Sequence, residues 1–139
     1  SLRTYDLRMA KTLENVNFAL EYLSSHSQIE RIYYRGKYQN KHQERLMEKS
    51  RYHGGGVITF EVNSDVNLED NFKLLRSTKM APSFGSVDSL IEIPAYMSHW
   101  GKSRESLEKL GLTTKVVRYS VGNEPWIFLE NDLRELLKS

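Results

Sequence analysis

The chain contains no cysteine. That excludes disulfides, thiolate catalysis and cysteine-ligated zinc. No apolar run is long enough to cross a bilayer and no signal-peptide pattern opens the chain, so the expected setting is the cytoplasm, with no membrane partner. Charge of one sign is also lacking. The 20 Lys and Arg residues and 18 Asp and Glu residues are well mixed, and a net charge of +2 is too small to argue for nucleic acid. The 4 histidines, His26, His42, His53 and His99, have no i,i+4 pairing and no adjacent carboxylate pattern, so no metal is expected. Proline is scarce, with only Pro82, Pro94 and Pro125, and each marks a break or boundary. What remains is ordinary for a globular chain: 139 residues, 39% hydrophobic and 27% charged, enough for one domain with a real core.

Periodicity divides that domain into alternating elements. Residues 4–25 read as one long helix, with Met9, Leu13, Val16, Leu20 and Leu23 forming an apolar stripe that Phe18 and Tyr22 widen. "IERIYY" (29–34) reads as a strand, "RGKYQNKHQ" as a polar loop, and 41–49 as a short charged helix. "HGGGVITFEV" (53–62) is loosened backbone entering a strand, with Val57, Thr59 and Glu61 opposite Ile58, Phe60 and Val62. "SDVNLEDNFKLL" (64–75) suits a helix capped by Ser64 or Asp65, with Leu68, Phe72 and Leu75 inward. "STKMAPSFGS" (77–86) reads as a short extended segment running into a loop, and "LIEIPAYMSHW" (90–100) as an ordered loop interrupted by Pro94. "SRESLEKLG" (103–111) is a helix stopped by Gly111. A strand at 115–121 leads into a last helix with Asn123 as N-cap and Pro125 in its first turn, burying Trp126, Leu129, Leu133 and Leu136. The expected fold class is α+β: about four short strands in one small sheet packed with helices.

Several stretches invite a chemical reading. "HGGG" precedes a strand, whereas phosphate-binding loops follow a strand and open a helix, so flexible backbone is the better reading. Ser83 and His99 form no recognisable nucleophile–base pair, because no strained elbow surrounds the serine. "YYRGKY" and "RYHG" interleave aromatics with bases, a pattern that solvated surfaces also carry. Arg118 is different. It sits mid-strand among valines, where an unpaired guanidinium would be expensive to desolvate. On composition alone its favoured partner is a local acid, Asp88 or Glu92.

The order and spacing of longer segments resemble a known family. "SFGSVDSLIEIPAYMSHWG" (83–101) followed by "LGLTTKVVRYSVGNEPWIFLENDLREL" (110–136) resembles the C-terminal domain of the Cys/Met-metabolism enzymes. These are the pyridoxal-phosphate-dependent cystathionine γ-synthases, γ-lyases and β-lyases, methionine γ-lyases and O-acylhomoserine sulfhydrylases. "LRMAKTLENVNFALEYLSSHSQIERIYYRG" and "HGGGVITFEV" fit the same family, so the likeness covers nearly the whole chain.

That resemblance implies the small domain of a fold-type I pyridoxal-phosphate-dependent transferase, spanning 1–139, with the larger cofactor-holding N-terminal domain absent. It implies that Arg118 clamps the α-carboxylate of a sulfur amino-acid substrate and that Ser83 helps position it. The cofactor of the full-length parent would act as electron sink for proton loss at Cα and β- or γ-elimination or replacement. No catalytic or cofactor-binding residue is expected in this chain, and alone it should be inactive and bind no pyridoxal phosphate. Pro82 stands where many members carry glutamate, Ser86 replaces a loop glycine, Asp88 replaces a glutamate and Pro125 an acid, so β and γ chemistry are not separated. The rival reading is a standalone α+β binding or interaction domain that kept the fold without the chemistry. An apolar surface left by the missing domain, on the first-helix stripe or at 91–100, would favour self-association.

Overall fold

The computed structural model describes residues 2–34, 56–78, 89–97 and 113–139. Its elements, in chain order, are α1 (Leu2–Ser24), β1 (Ile29–Tyr33), β2 (Val57–Val62), α2 (Leu68–Phe72), β3 (Leu90–Glu92), α3 (Pro94–Met97), β4 (Val116–Ser120) and α4 (Trp126–Leu136). The four strands form one antiparallel sheet in the order β1-β2-β4-β3. The expected α+β class therefore holds. The helices expected at 41–49 and 103–111 lie outside the described residues, as does the segment 79–86.

The core follows from the alternation in the strands. Ile58, Phe60 and Val62 of β2, Ile91 of β3, and Val117 and Tyr119 of β4 are all buried, and they meet Val16, Ala19 and Leu23 of α1 and Leu129, Leu133 and Leu136 of α4. Each fully buried leucine of α4 contributes about 1.5–3 kcal/mol by leaving water. Gly56 allows α1 to lie close against the entry to β2: a Cβ there would stand 3.0 Å from Thr12 Cγ2.

Three local readings change. In the segment read as a loop, residues 90–97 are ordered into elements: Leu90–Glu92 pairs with β4, and Pro94 opens a helical turn instead of ending order. Proline is well placed at a helix start, where its missing N–H has no intrahelical partner in any case. The helix expected from 64 to 75 contracts to α2, because Val66 is drawn into the core and Asn67 takes the cap, its side chain accepting the Asp70 N–H. In α4 the N-cap is Pro125, while Asn123 bonds the Arg8 carbonyl and Thr12 Oγ1 on α1. Within the two surfaces expected for self-association, Val16, Leu23, Ile91 and Ile93 face the core while Phe18 and Tyr96 are exposed; Leu7, Ile127 and Phe128 are the other exposed large apolar residues on the described helices.

Two buried polar side chains anchor α4. Asn71 donates to the carbonyls of Leu136 (2.8 Å) and Lys138 (2.7 Å), satisfying acceptors that a helix C-terminus leaves open. Asp132, 1% exposed, accepts the backbone N–H groups of Arg76 (2.9 Å), Ser77 (2.9 Å) and Thr78 (2.7 Å). Removing such an acceptor strands several donors at once. Asp132→Ala should therefore lower stability by about 2–4 kcal/mol in urea denaturation. A loss below about 1 kcal/mol would mean that water substitutes for the carboxylate.

Candidate functional site

Arg118 lies in the middle of β4, paired in register with Thr59 of β2 on one side and Glu92 of β3 on the other. Val116, Arg118 and Ser120 point to one face of the sheet; Val117 and Tyr119 point to the other, where α1 and α4 pack. The guanidinium is not enclosed. Its side chain is 53% exposed, and Nε stands 3.4 Å from Glu92 Oε1, a carboxylate that is 18% exposed. The expected difficulty of solvating Arg118 is thus corrected, because more than half of its side chain is open to solvent. Of the two acids expected as partners, Glu92 is the one paired; Asp88 lies outside the described residues. So does Ser83.

Directly beyond Arg118, the chain "SVGNE" turns into α4 through a cluster the sequence reading missed. Glu124 accepts both the backbone N–H and the hydroxyl of Ser89, each at 2.9 Å, and Ser89 Oγ in turn accepts the Gly122 N–H at 2.8 Å. Asn15, fully buried on α1, donates to the carbonyls of Gly122 (2.9 Å) and Glu124 (2.8 Å). The chain leading into β3 and the chain leaving β4 are thereby locked together and to the long helix. The sequence did carry signals. Asn15 lies one and two turns before Ala19 and Leu23 on the buried face of α1, and Asp132 sits among Leu129, Leu133 and Leu136; a polar residue inside an apolar stripe needs a partner.

Tyr119 is buried against this cluster, and no described residue meets hydrogen-bond geometry at its hydroxyl. Burial pushes its phenol well above the usual range; the Glu124 carboxylate and, less, that of Asp132 push it the same way, while nearby Ser89 opposes them.

Each lysine among the described residues already has a partner. Lys11, Lys73 and Lys138 pair with Glu14, Asp70 and Glu135 on the surface. Lys115 donates to the Val66 carbonyl beside a groove of about 390 Å³ whose lining includes Asp65, Glu69 and Tyr96. Acids there oppose a phosphate, and Arg118 does not line the groove. His26 is the one histidine among the described residues; its Nδ1 accepts the Gln28 N–H, a turn contact, and burial lowers its pKa.

Residues 1–138 match the family described as Cys/Met metabolism PLP-dependent enzyme, and the chain belongs to that family. More particularly, it resembles a portion of cystathionine synthases and lyases. It is 32% identical over 140 residues to cystathionine gamma-synthase 1, chloroplastic, of Nicotiana tabacum, covering 99% of this chain and 26% of that protein. It is 34% identical over 139 residues to the cystathionine beta-lyase of Coxiella burnetii, covering 98% of this chain and 35% of that protein. Among solved structures, cystathionine gamma-lyase from Lactobacillus plantarum, complexed with L-serine, superposes with a TM-score of 0.80 at 32% identity, over 96% of this chain and 35% of that one. The chain thus spans about a quarter to a third of the length of these relatives.

Two outcomes test the cluster. Glu124→Gln and Ser89→Ala should each cost about 1–2 kcal/mol, and the double variant should cost clearly less than their sum, because both remove one linkage. Additivity in urea denaturation would dissolve that linkage. For Tyr119, a phenol held neutral in the fold contributes stability that is intact below pH about 10, the unfolded value, and fades as pH rises above it. Tyr119→Phe should therefore weaken the alkaline decline between pH 9 and 11 on the order of tenfold in the unfolding constant, leaving pH 7 stability within about 1 kcal/mol. An unchanged alkaline limb would count against it.

Proposed function

We propose that this chain is the substrate-binding C-terminal domain of a pyridoxal-phosphate-dependent transsulfuration enzyme acting on sulfur amino acids. The parent reaction is cystathionine synthesis or cleavage, or a related β- or γ-elimination or replacement. The carrying observation is Arg118: a half-exposed guanidinium, fixed on a central strand, within the arginine-x-serine-valine-glycine-x-glutamate pattern. A planar fork of donors suits a carboxylate, which it binds bidentately and so orients the attached Cα. Ser83 would add a positioning contact, and the pocket would be completed by the N-terminal cofactor domain. On this reading the chain alone is inactive and works in the cytoplasm. That the chain spans a minor share of its relatives' length, and that its described lysines are engaged elsewhere, supports the division of labour.

The Glu92 contact favours a second reading, in which Arg118 is a structural ion pair in a standalone binding or interaction domain. Stability separates the two. A half-exposed pair contributes little, so Arg118→Ala should change unfolding free energy by less than about 1 kcal/mol. A much larger loss would restore the structural reading. The cofactor assignment is tested by titrating the chain with pyridoxal phosphate, reducing with borohydride and mapping labelled peptides. Scattered substoichiometric labelling is expected; saturable labelling of one lysine would overturn the assignment.

A further inference from the structure

Arg118 has five N–H donors on two usable edges: the side edge, which includes Nε, and the end, formed by the two terminal nitrogens. Glu92 contacts the side edge, through Nε at 3.4 Å, and no described residue contacts the terminal nitrogens. The two residues are direct partners across β3 and β4, so the carboxylate is carried on rigid backbone and is the less exposed member of the pair. A long arginine side chain on an open sheet face would otherwise sample many rotamers, and ordering it on binding would weaken the interaction.

We infer that Glu92 is a positioning residue for Arg118: it holds the guanidinium by its Nε edge and leaves the two terminal nitrogens to receive an amino-acid carboxylate end-on. This deepens the proposed carboxylate role and rests on it. Glu92 acts in two opposing ways. Its oxygen lies 3.4 Å from Nε and restrains that edge, which aids binding, while its negative charge lies near the incoming carboxylate, which weakens binding. A substitution that keeps the acceptor but removes the charge should therefore differ from one that removes both. A purely structural pair would not distinguish them in binding.

The test titrates the chain with L-serine and follows the Arg118 Nε–H resonance by NMR. For one charge-assisted fork in water, the dissociation constant should be on the order of 10–100 mM. Glu92→Gln should bind equally well or up to about threefold tighter, whereas the near-isosteric Glu92→Met should bind roughly fivefold weaker. If both variants bind tighter, Glu92 is a competitor; if neither changes, it has no positioning role. Either result overturns the inference. If the parent chain fails to bind L-serine, or Arg118→Ala binds as well, the carboxylate reading itself falls. The anchoring claim then stands on the ligand-free resonance, which should stay sharp in Glu92→Gln and broaden in Glu92→Met. A sharp signal in a folded Glu92→Met variant sinks the anchoring claim.

Discussion

The linkage between Ser89 and Glu124 holds β3 and β4 together at the end of the sheet. A strand that ends and turns into a helix leaves several backbone donors and acceptors without ladder partners, and burying them unpaired would be costly. Here three side chains from distant parts of the chain meet that need. Glu124 binds Ser89 twice, Ser89 binds the Gly122 N–H, and Asn15 spans the carbonyls of Gly122 and Glu124. Without this closure, β3 would be attached to β4 only by a three-residue ladder. With it, Glu92 of β3 is held at fixed register beside Arg118.

A second anchor acts on α4. Asp132 gathers three backbone N–H groups from the segment after α2, and Asn71 closes the C-terminal turn of the same helix. Both exchange solvent for charge-assisted or buried hydrogen bonds, and both depend on a helix whose leucines are already in the core. Hydrophobic burial therefore places α4, and these polar contacts fix its rotation and its end. The sheet then has one packed face and one that carries Thr59, Glu61, Glu92 and Arg118.

That asymmetry explains the state of Arg118. Alternation along β4 distinguishes two faces but not which face receives the helices. A valine-rich strand suggested enclosure, yet Arg118 lies on the face opposite α1 and α4 with half its side chain in solvent, where water screens its charge and one carboxylate suffices as partner. Its exposure is compatible with a ligand-binding role in a way that a fully enclosed ion pair would not be.

The sequence by itself determined the element types with strong periodicity: the long first helix, β2, β4 and the last helix, because alternation of two or of about 3.6 residues leaves few alternatives. It also carried the family, through motifs spread over nearly the whole chain, and the acid that meets Arg118 was one of two it offered. Short elements were not legible. Leu90–Glu92 is too brief for periodicity to declare a strand and depends on β4 for its hydrogen bonds, and α2 starts at Asn67 because the core claims Val66. The roles of Asn15, Ser89, Glu124 and Asp132 were decided only by tertiary structure. Their partners lie between 33 and 109 residues away in sequence, and no local pattern encodes a hydrogen bond across that separation.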